Sequence, residues 1–357
     1  MDEFLAAEGV PPKDDPPKDS GHARDTDPRV DGETFVFNAP PLPESVWGDG
    51  GSKVLMAKGE GTMLVGPQGV GKSTLAQQVV LKRIGIGDPD LLGYEVARDE
   101  RKVLYLALDR PRQIARLFRR MVTEANRQIL RERLVVCQGA LPFALSYDKP
   151  GQLAQYALDV GAGMIVADSY KDLAGSLSDE QTGALINKVV QQVVVAEIDW
   201  LGLHHQRKAQ ARINPKPNTL ADVYGSTWLT SGLGSVIGLW GNAGDTTVEF
   251  THLKQPADVV DIGAITTDHT KGISRVAFGP SGHDAASAHQ RTLINALMNR
   301  PLGSVITNPE AQGILGLKER ATREVLQAMV DNGTLTEHVD SHAKNAKGWS
   351  LNIRPET

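Results

Sequence analysis

An α/β architecture, with a mostly parallel sheet covered by helices on both faces and a small separate domain after it, is what this 357-residue sequence predicts. Three observations carry that expectation. Apolar, β-prone runs alternate with helical stretches through the middle of the chain. A glycine-rich segment joins the first such run to the first of those helices. Near residue 280 the alternation stops at the Gly/Ser-rich stretch GPSGHDAAS, and a new helical periodicity begins beyond it.

Residues 1–34 are rich in Pro, Asp and Lys (PPKDDPPKDS) and poor in large apolar groups, so they are read as a disordered acidic tail. FVFNAPPLPESVWGDG, residues 35–50, reads either as an arm packing on the core or a neighbouring subunit, or as an ordered linker. The alternating region follows. Strands are expected at 61–65, 103–108, 133–137, 163–167, 200–204, 235–240 and 247–252. Helices are expected at 72–84, 110–130, 151–160 and 180–197. Strands separated by helices pair in parallel and are buried on both faces. The runs at 235–240 and 247–252 have no helix between them. With 262–267 and 273–278 they are expected to extend the sheet in antiparallel fashion.

The main α/β domain is thus placed at 35–280, a linker at 281–287 and a small module at 288–357. In that module Leu293, Ile294, Leu297 and Met298 recur at helical spacing. Asn308-Pro309-Glu310 starts a helix, with Asn as cap. LKERATREVLQAMVDNG places Ala321, Val325, Leu326, Met329 and Val330 on one face, with Gly333 closing the helix. TLTEHV and GWSLNI fit a hairpin. Three helices and a hairpin, in that order, match a winged helix.

Composition bounds the rest. Hydrophobic residues make up 40%, enough for a substantial core, and no apolar run reaches the roughly 18 residues of a membrane span. The acidic N-terminus is unlike a secretory signal, and the single cysteine, Cys137, allows no internal disulfide. A cytoplasmic protein without membrane contact is expected. The net charge of −5 is concentrated in the acidic N-terminal segment, leaving the remainder near neutral. A global basic field for nucleic acid is absent, so any such contact must come from local patches.

The chemistry centres on GPQGVGKST at 66–74, which fills the pattern G-x-x-x-x-G-K-[ST]. Gly66, Gly69 and Gly71 let the backbone turn its N–H groups toward a phosphate. Pro67, Gln68 and Val70 complete the loop. Lys72 offers a positive charge to the β- and γ-phosphates, Ser73 a hydroxyl to Mg²⁺, and Thr74 continues the helix. ATP and Mg²⁺ are the expected cofactors. GMIVADS ends a buried strand on Asp168, where an unpaired carboxylate is costly. Metal coordination beside Ser73 is one reason for it, a strand-end turn or cap the other. Asp109, after VLYLAL, is a candidate for orienting the attacking water, or else an N-cap before Arg110-Pro111.

These segments, with LGLHHQRKA, YGSTWLTSGLGSVIGLWG and THLKQPAD, resemble the RecA-fold ATPases of the RepA-like and DnaB-like hexameric replicative helicase group, over about residues 40–280. The resemblance implies a RecA-like P-loop NTPase core and DNA helicase activity in replication, with ATP hydrolysed at subunit interfaces of a homo-oligomer, a hexameric ring. It implies that the strand ending at Asp109 neighbours the P-loop strand. His205 and Gln206 stand where such proteins keep a γ-phosphate sensor. The loop carrying Arg207, Lys208, Arg212 and Lys216 would contact single-stranded DNA. Lys254 would reach a neighbouring subunit's γ-phosphate. The family more often has Glu where this chain has Asp109, which puts the hydrolysis rate in question. Lys318, Arg320 and Arg323 of the winged-helix module are candidate contacts to duplex DNA, with a protein partner as the alternative. A recombinase-type DNA-dependent ATPase and a nucleotide-gated replication regulator are the rival readings.

Overall fold

A computed structural model describes residues 29–206, 219–277, 285–298, 300–301, 303–331, 334–340 and 346–352. The chain divides into two units, Met1–Pro41 and Leu42–Thr357. In the first, Asp31 caps a short helix, α1 (Gly32–Phe37), by accepting from the Thr34 amide at 2.9 Å. The tail expected over 1–34 therefore already contains a cap and a first helical turn. The local Asp31–Thr34 bonds supply the ordering that composition does not advertise. Residues 1–28 lie outside the described residues.

The second unit opens with β1 (Ser45–Gly48), β2 (Val54–Ala57) and β3 (Gly61–Gly66), then α2 (Lys72–Arg83), β4 (Asp90–Leu91), β5 (Tyr94–Val96) and β6 (Lys102–Ala107). It continues with α3 (Pro111–Met121), α4 (Arg127–Arg133), β7 (Leu134–Gln138), α5 (Gln152–Leu158), β8 (Ala162–Asp168), α6 (Tyr170–Leu173), α7 (Glu180–Val195) and β9 (Asp199–His205). After α8 (Trp228–Ser231) come β10 (Leu233–Trp240), β11 (Thr247–Lys254), β12 (Gly263–Asp268) and β13 (Ile273–Val276).

A nine-stranded sheet has the order β13-β12-β11-β10-β3-β9-β8-β6-β7. From β10 to β7 the strands run parallel, and β11 to β13 add an antiparallel edge. This is a RecA-like P-loop core, with β9 between the P-loop strand β3 and the strand ending at Asp168. The order corrects one expectation. β6, which leads to Asp109, does not neighbour β3, because β9 and β8 lie between them. Strand order depends on non-local pairing, which a strand's own residues do not encode.

Each parallel strand alternates its side chains between two cores. On one face Val103, Tyr105, Val166 and Leu203 pack with Leu75 and Val79 of α2 and with Ile114 and Phe118 of α3. On the other, Leu104, Ile165 and Trp200 pack with Leu153 of α5 and Ile186 and Val190 of α7. The helix expected across 110–130 is broken. Val122 is extended, and a reciprocal Thr123–Asn126 capping box starts a new turn. A small sheet, β2-β1-β5-β4, was not anticipated. The buried Trp47 indole ties it together by donating to the Leu91 carbonyl at 3.0 Å.

The C-terminal region comprises α9 (Ala285–Met298), β14 (Ile306–Thr307), α10 (Asn308–Leu315), α11 (Glu319–Asp331), β15 (Leu335–Asp340) and β16 (Ala346–Leu351), with a sheet of order β14-β16-β15. α9 takes in residues 285–287, which were expected to be linker. Thr307, not Asn308, caps α10, through a capping box with Glu310. Leu293, Leu297, Ile306, Leu326, Met329 and Trp349 form a core of their own. Gly333 lies outside the described residues. Among the described residues no helix is long and apolar enough to cross a membrane.

Candidate functional site

The site is built where β3 ends and α2 begins. Gly66 lies so close to β10 that a Cβ there would sit 2.1 Å from the Leu239 carbonyl oxygen. Gly69 (φ +79°) and Gly71 (φ +91°) adopt left-handed backbone that other residues take only with strain. The Gly244 amide donates to the Gly69 carbonyl at 3.1 Å, so the β10–β11 turn braces the loop. Gly71 caps α2 without a side-chain acceptor, which leaves the first helical amides to an anion.

Lys72 is only 4% exposed and donates to the Gly66 and Pro67 carbonyls at 2.7 and 2.6 Å. Burial pulls its ammonium down to about 8, against the opposing pull of the Asp168 charge. It thus stays cationic at neutral pH and is aimed into the loop that a phosphate would fill.

Asp168 ends β8 at 6% exposure. Its carboxylate accepts from the Tyr105 hydroxyl at 2.9 Å and lies near the Ser73 hydroxyl. Burial raises its affinity for a proton, while Ser73, Tyr105 and the Lys72 charge oppose that rise. A hydroxyl and a carboxylate close together beside a phosphate loop are hard oxygen donors suited to Mg²⁺. The three-glycine cradle and this oxygen pair fit a magnesium nucleotide.

Asp109 follows the end of β6, and the Leu108 amide continues the pairing to the Asp168 carbonyl at 3.0 Å. Burial pushes the Asp109 carboxyl up. Lys171 at 3.3 Å and Arg110 at 3.2 Å outweigh that and hold it below the usual carboxylate range. The N-cap of α3 is Arg110, and no side chain caps it, so Asp109 does not serve as the helix cap.

His205 ends β9 opposite Gly66 in the parallel register. Burial lowers its imidazole to about 4. Lys72, Lys171 and His204 push it the same way and Asp109 opposes, so the ring is neutral within reach of those charges. Its Nδ1 is buried without a hydrogen-bond partner among the described residues. His204 points to the opposite face. Its Nε2 lies 2.5 Å from the Tyr224 carbonyl, and its ring stacks on Tyr224 and meets Tyr170 edge-on.

Gln206 spans two structures. Its amide donates to the Gly66 carbonyl at 2.9 Å. Its side chain donates to the Asp222 carbonyl at 2.9 Å and accepts from the Tyr224 amide at 2.7 Å. Residues 206 and 222–224 flank the segment carrying Arg207, Lys208, Arg212 and Lys216, all of which lie outside the described residues.

Two groups stand apart. Lys254 pairs in register with Val236, toward the end of β10 away from the phosphate loop, and donates to the Thr230 and Ser231 carbonyls at 3.3 and 3.1 Å. Lys318, Arg320 and Arg323 are exposed on or beside α11. Arg320 pairs with Glu324 at 3.2 Å and Arg323 with Glu319 at 2.6 Å, so much of the helix's positive charge is neutralised locally.

Sequence reasoning did not find Tyr105, Lys171 or Tyr224. Tyr105 reads as an ordinary β-former inside VLYLAL, and its contact depends on the register between β6 and β8. Lys171 carried a signal, a cation three residues after Asp168.

The model of a family described as AAA domain matches residues 29–211. No curated protein matches the chain. Among solved structures, the chain is similar to the ATPase domain of G40P at 12% identity, over 61% of this chain and 85% of that one, with a TM-score of 0.44.

Proposed function

The chain belongs to the AAA domain family, whose model spans about half of it, and from that premise we propose that it is an ATP-hydrolysing motor on single-stranded DNA, a RepA-like replicative helicase. The observation that carries this reading is the proximity of Asp168 to Ser73 and Lys72, at the end of a glycine-framed loop. Lys72 would leave the Gly66 and Pro67 carbonyls to hold the β- and γ-phosphates. Ser73 and Asp168 would hold Mg²⁺, which when bound neutralises charge on the phosphate oxygens. Asp109 would orient the attacking water, directly or through a second water, since its side chain is one methylene shorter than Glu. Neutral His205 would hydrogen-bond the γ-phosphate.

Gln206 would pass the state of the phosphate site to the basic segment 207–218, because it bonds Gly66 on one side and Asp222 and Tyr224 on the other. In this reading Arg207, Lys208, Arg212 and Lys216 track the DNA backbone. Lys254 would complete a neighbouring subunit's site in a homo-oligomeric ring after releasing the α8 carbonyls. The C-terminal region is read as a winged helix for duplex DNA or a protein partner. The internally paired charges of α11 favour the protein.

The test is ATP hydrolysis with and without single-stranded DNA, alongside separation of a forked duplex. Stimulated hydrolysis with strand separation supports the motor, and nucleotide binding without turnover rejects it. One observation favours a second reading, a nucleotide-gated regulator: Asp109 is held by two cations, which weakens it as a base.

A further inference from the structure

Tyr105 is fully buried at the centre of β6, yet it carries a hydroxyl that packing does not need. A phenylalanine would fill the same space, and a buried hydroxyl is costly unless it is used. The register gives it a use. Tyr105 pairs with Val166 and Ala107 with Asp168, so Tyr105 and Asp168 face the same side two steps apart along neighbouring strands. The Tyr105 hydroxyl donates to Asp168 Oδ2 at 2.9 Å. Phe118 of α3 holds the ring edge-on, with centroids 5.3 Å apart at 75°.

We propose that Tyr105 is a positioning residue: by occupying one oxygen of Asp168 it fixes the carboxylate's rotation and so sets how tightly the site holds the magnesium of a bound nucleotide. The torsion that turns a carboxylate is broad and roughly two-fold. Beside Ser73, one donor on one oxygen converts that freedom into a single orientation. A phenol carries one O–H donor, and here that donor is directed at Asp168. The inference rests on the nucleotide reading of the site and assigns a task to a residue which that reading leaves idle.

The experiment compares the full chain with Tyr105→Phe and with Phe118→Leu, which disturbs the ring's packing but keeps the hydroxyl. Binding of a fluorescent, non-hydrolysable ATP analogue is measured without metal and across a Mg²⁺ titration, with melting temperatures alongside. For Tyr105→Phe the metal-free affinity should match the parent, while the Mg²⁺ needed for half-saturation rises about 10-fold, as is usual when a partner of a metal-binding carboxylate is lost. Phe118→Leu should leave the Mg²⁺ titration where it is. An unchanged Mg²⁺ titration in Tyr105→Phe, or an equal fall in affinity with and without metal, overturns the proposal and leaves a packing role. If Tyr105→Phe does not fold, 3-fluorotyrosine at position 105 keeps the ring and its hydroxyl but changes the donor strength, and a Mg²⁺ titration superposable on the parent's overturns the proposal equally. A parent chain that binds no nucleotide sinks the nucleotide reading itself, whereas a binding parent with an indifferent variant sinks only the role of Tyr105.

Discussion

Gln206 and Tyr224 are joined across the base of the segment between them: the Tyr224 amide donates to Gln206 Oε1 at 2.7 Å, while Gln206's own amide holds the Gly66 carbonyl at 2.9 Å. The start of the phosphate loop and the far end of the basic segment are therefore two hydrogen bonds apart. If that path carries coupling, Gln206→Ala should lower the ratio of DNA-stimulated to basal hydrolysis by about 10-fold, the size of one or two lost hydrogen bonds. An undiminished ratio would remove Gln206 from the path.

Asp109 is expected to act on turnover rather than on binding. Asp109→Asn should reduce kcat by about 100-fold or more, with nucleotide affinity within a few-fold of the parent. Lys171→Met removes a cation that holds the carboxyl down, so the Asp109 proton is bound at higher pH than in the parent. The acid limb of the kcat profile should therefore move to higher pH. A profile unmoved by Lys171→Met would show that Asp109 does not set that limb.

Buried histidines make stability depend on pH. Burial lowers His204 and His252 to about 4, against about 6.5 in an unfolded chain. Between those values the unfolded chain binds more protons, so stability is complete above about 6.5 and falls as pH drops toward 4. His252 bonds the Ser235 hydroxyl at 2.9 Å, away from the phosphate loop. In His252→Gln the slope of stability through this window should fall by up to one proton, about 1.4 kcal/mol per pH unit. Denaturant unfolding at several pH values measures it, and an identical slope would contradict the assignment.

Gly202 accommodates Tyr170, since a Cβ at residue 202 would lie 1.9 Å from the Tyr170 ring. The Tyr170 hydroxyl accepts a hydrogen bond from the Trp200 indole at 2.8 Å, and the side chain is fully buried. Gly202→Ala should cost about 2 kcal/mol or more, because neither strand backbone nor ring can give way cheaply. Thermal unfolding of the variant checks this, and an unchanged melting temperature would mean that the ring moves freely.

What was legible in the sequence was local. The phosphate loop is contiguous from Gly66 to Thr74, and its neighbours announce strand and helix. Asp168 stands out because four apolar residues lead to a carboxylate. The alternating pattern gave the layers, but not the strand order that separates β6 from β3. Tyr105 was invisible because its meaning lies in a register with β8, sixty-three residues away. The break after Met121 had a weak signal in Thr123 and Asn126, outweighed by helix-forming residues on both sides. The bonds that Gln206 makes to Asp222 and Tyr224 depend on how the chain returns after residue 218, which no pattern near Gln206 describes.

The central claim is that Lys72, poised on the Gly66 and Pro67 carbonyls, neutralises the phosphates of a nucleotide whose magnesium meets Ser73 and Asp168. Calorimetric titration of ATP with Mg²⁺ into the parent and into Lys72→Ala tests it most directly. The account predicts saturable binding in the parent and a loss of about 100-fold in the variant, the value of a buried charge-assisted contact. Equal affinity in the two proteins would contradict it.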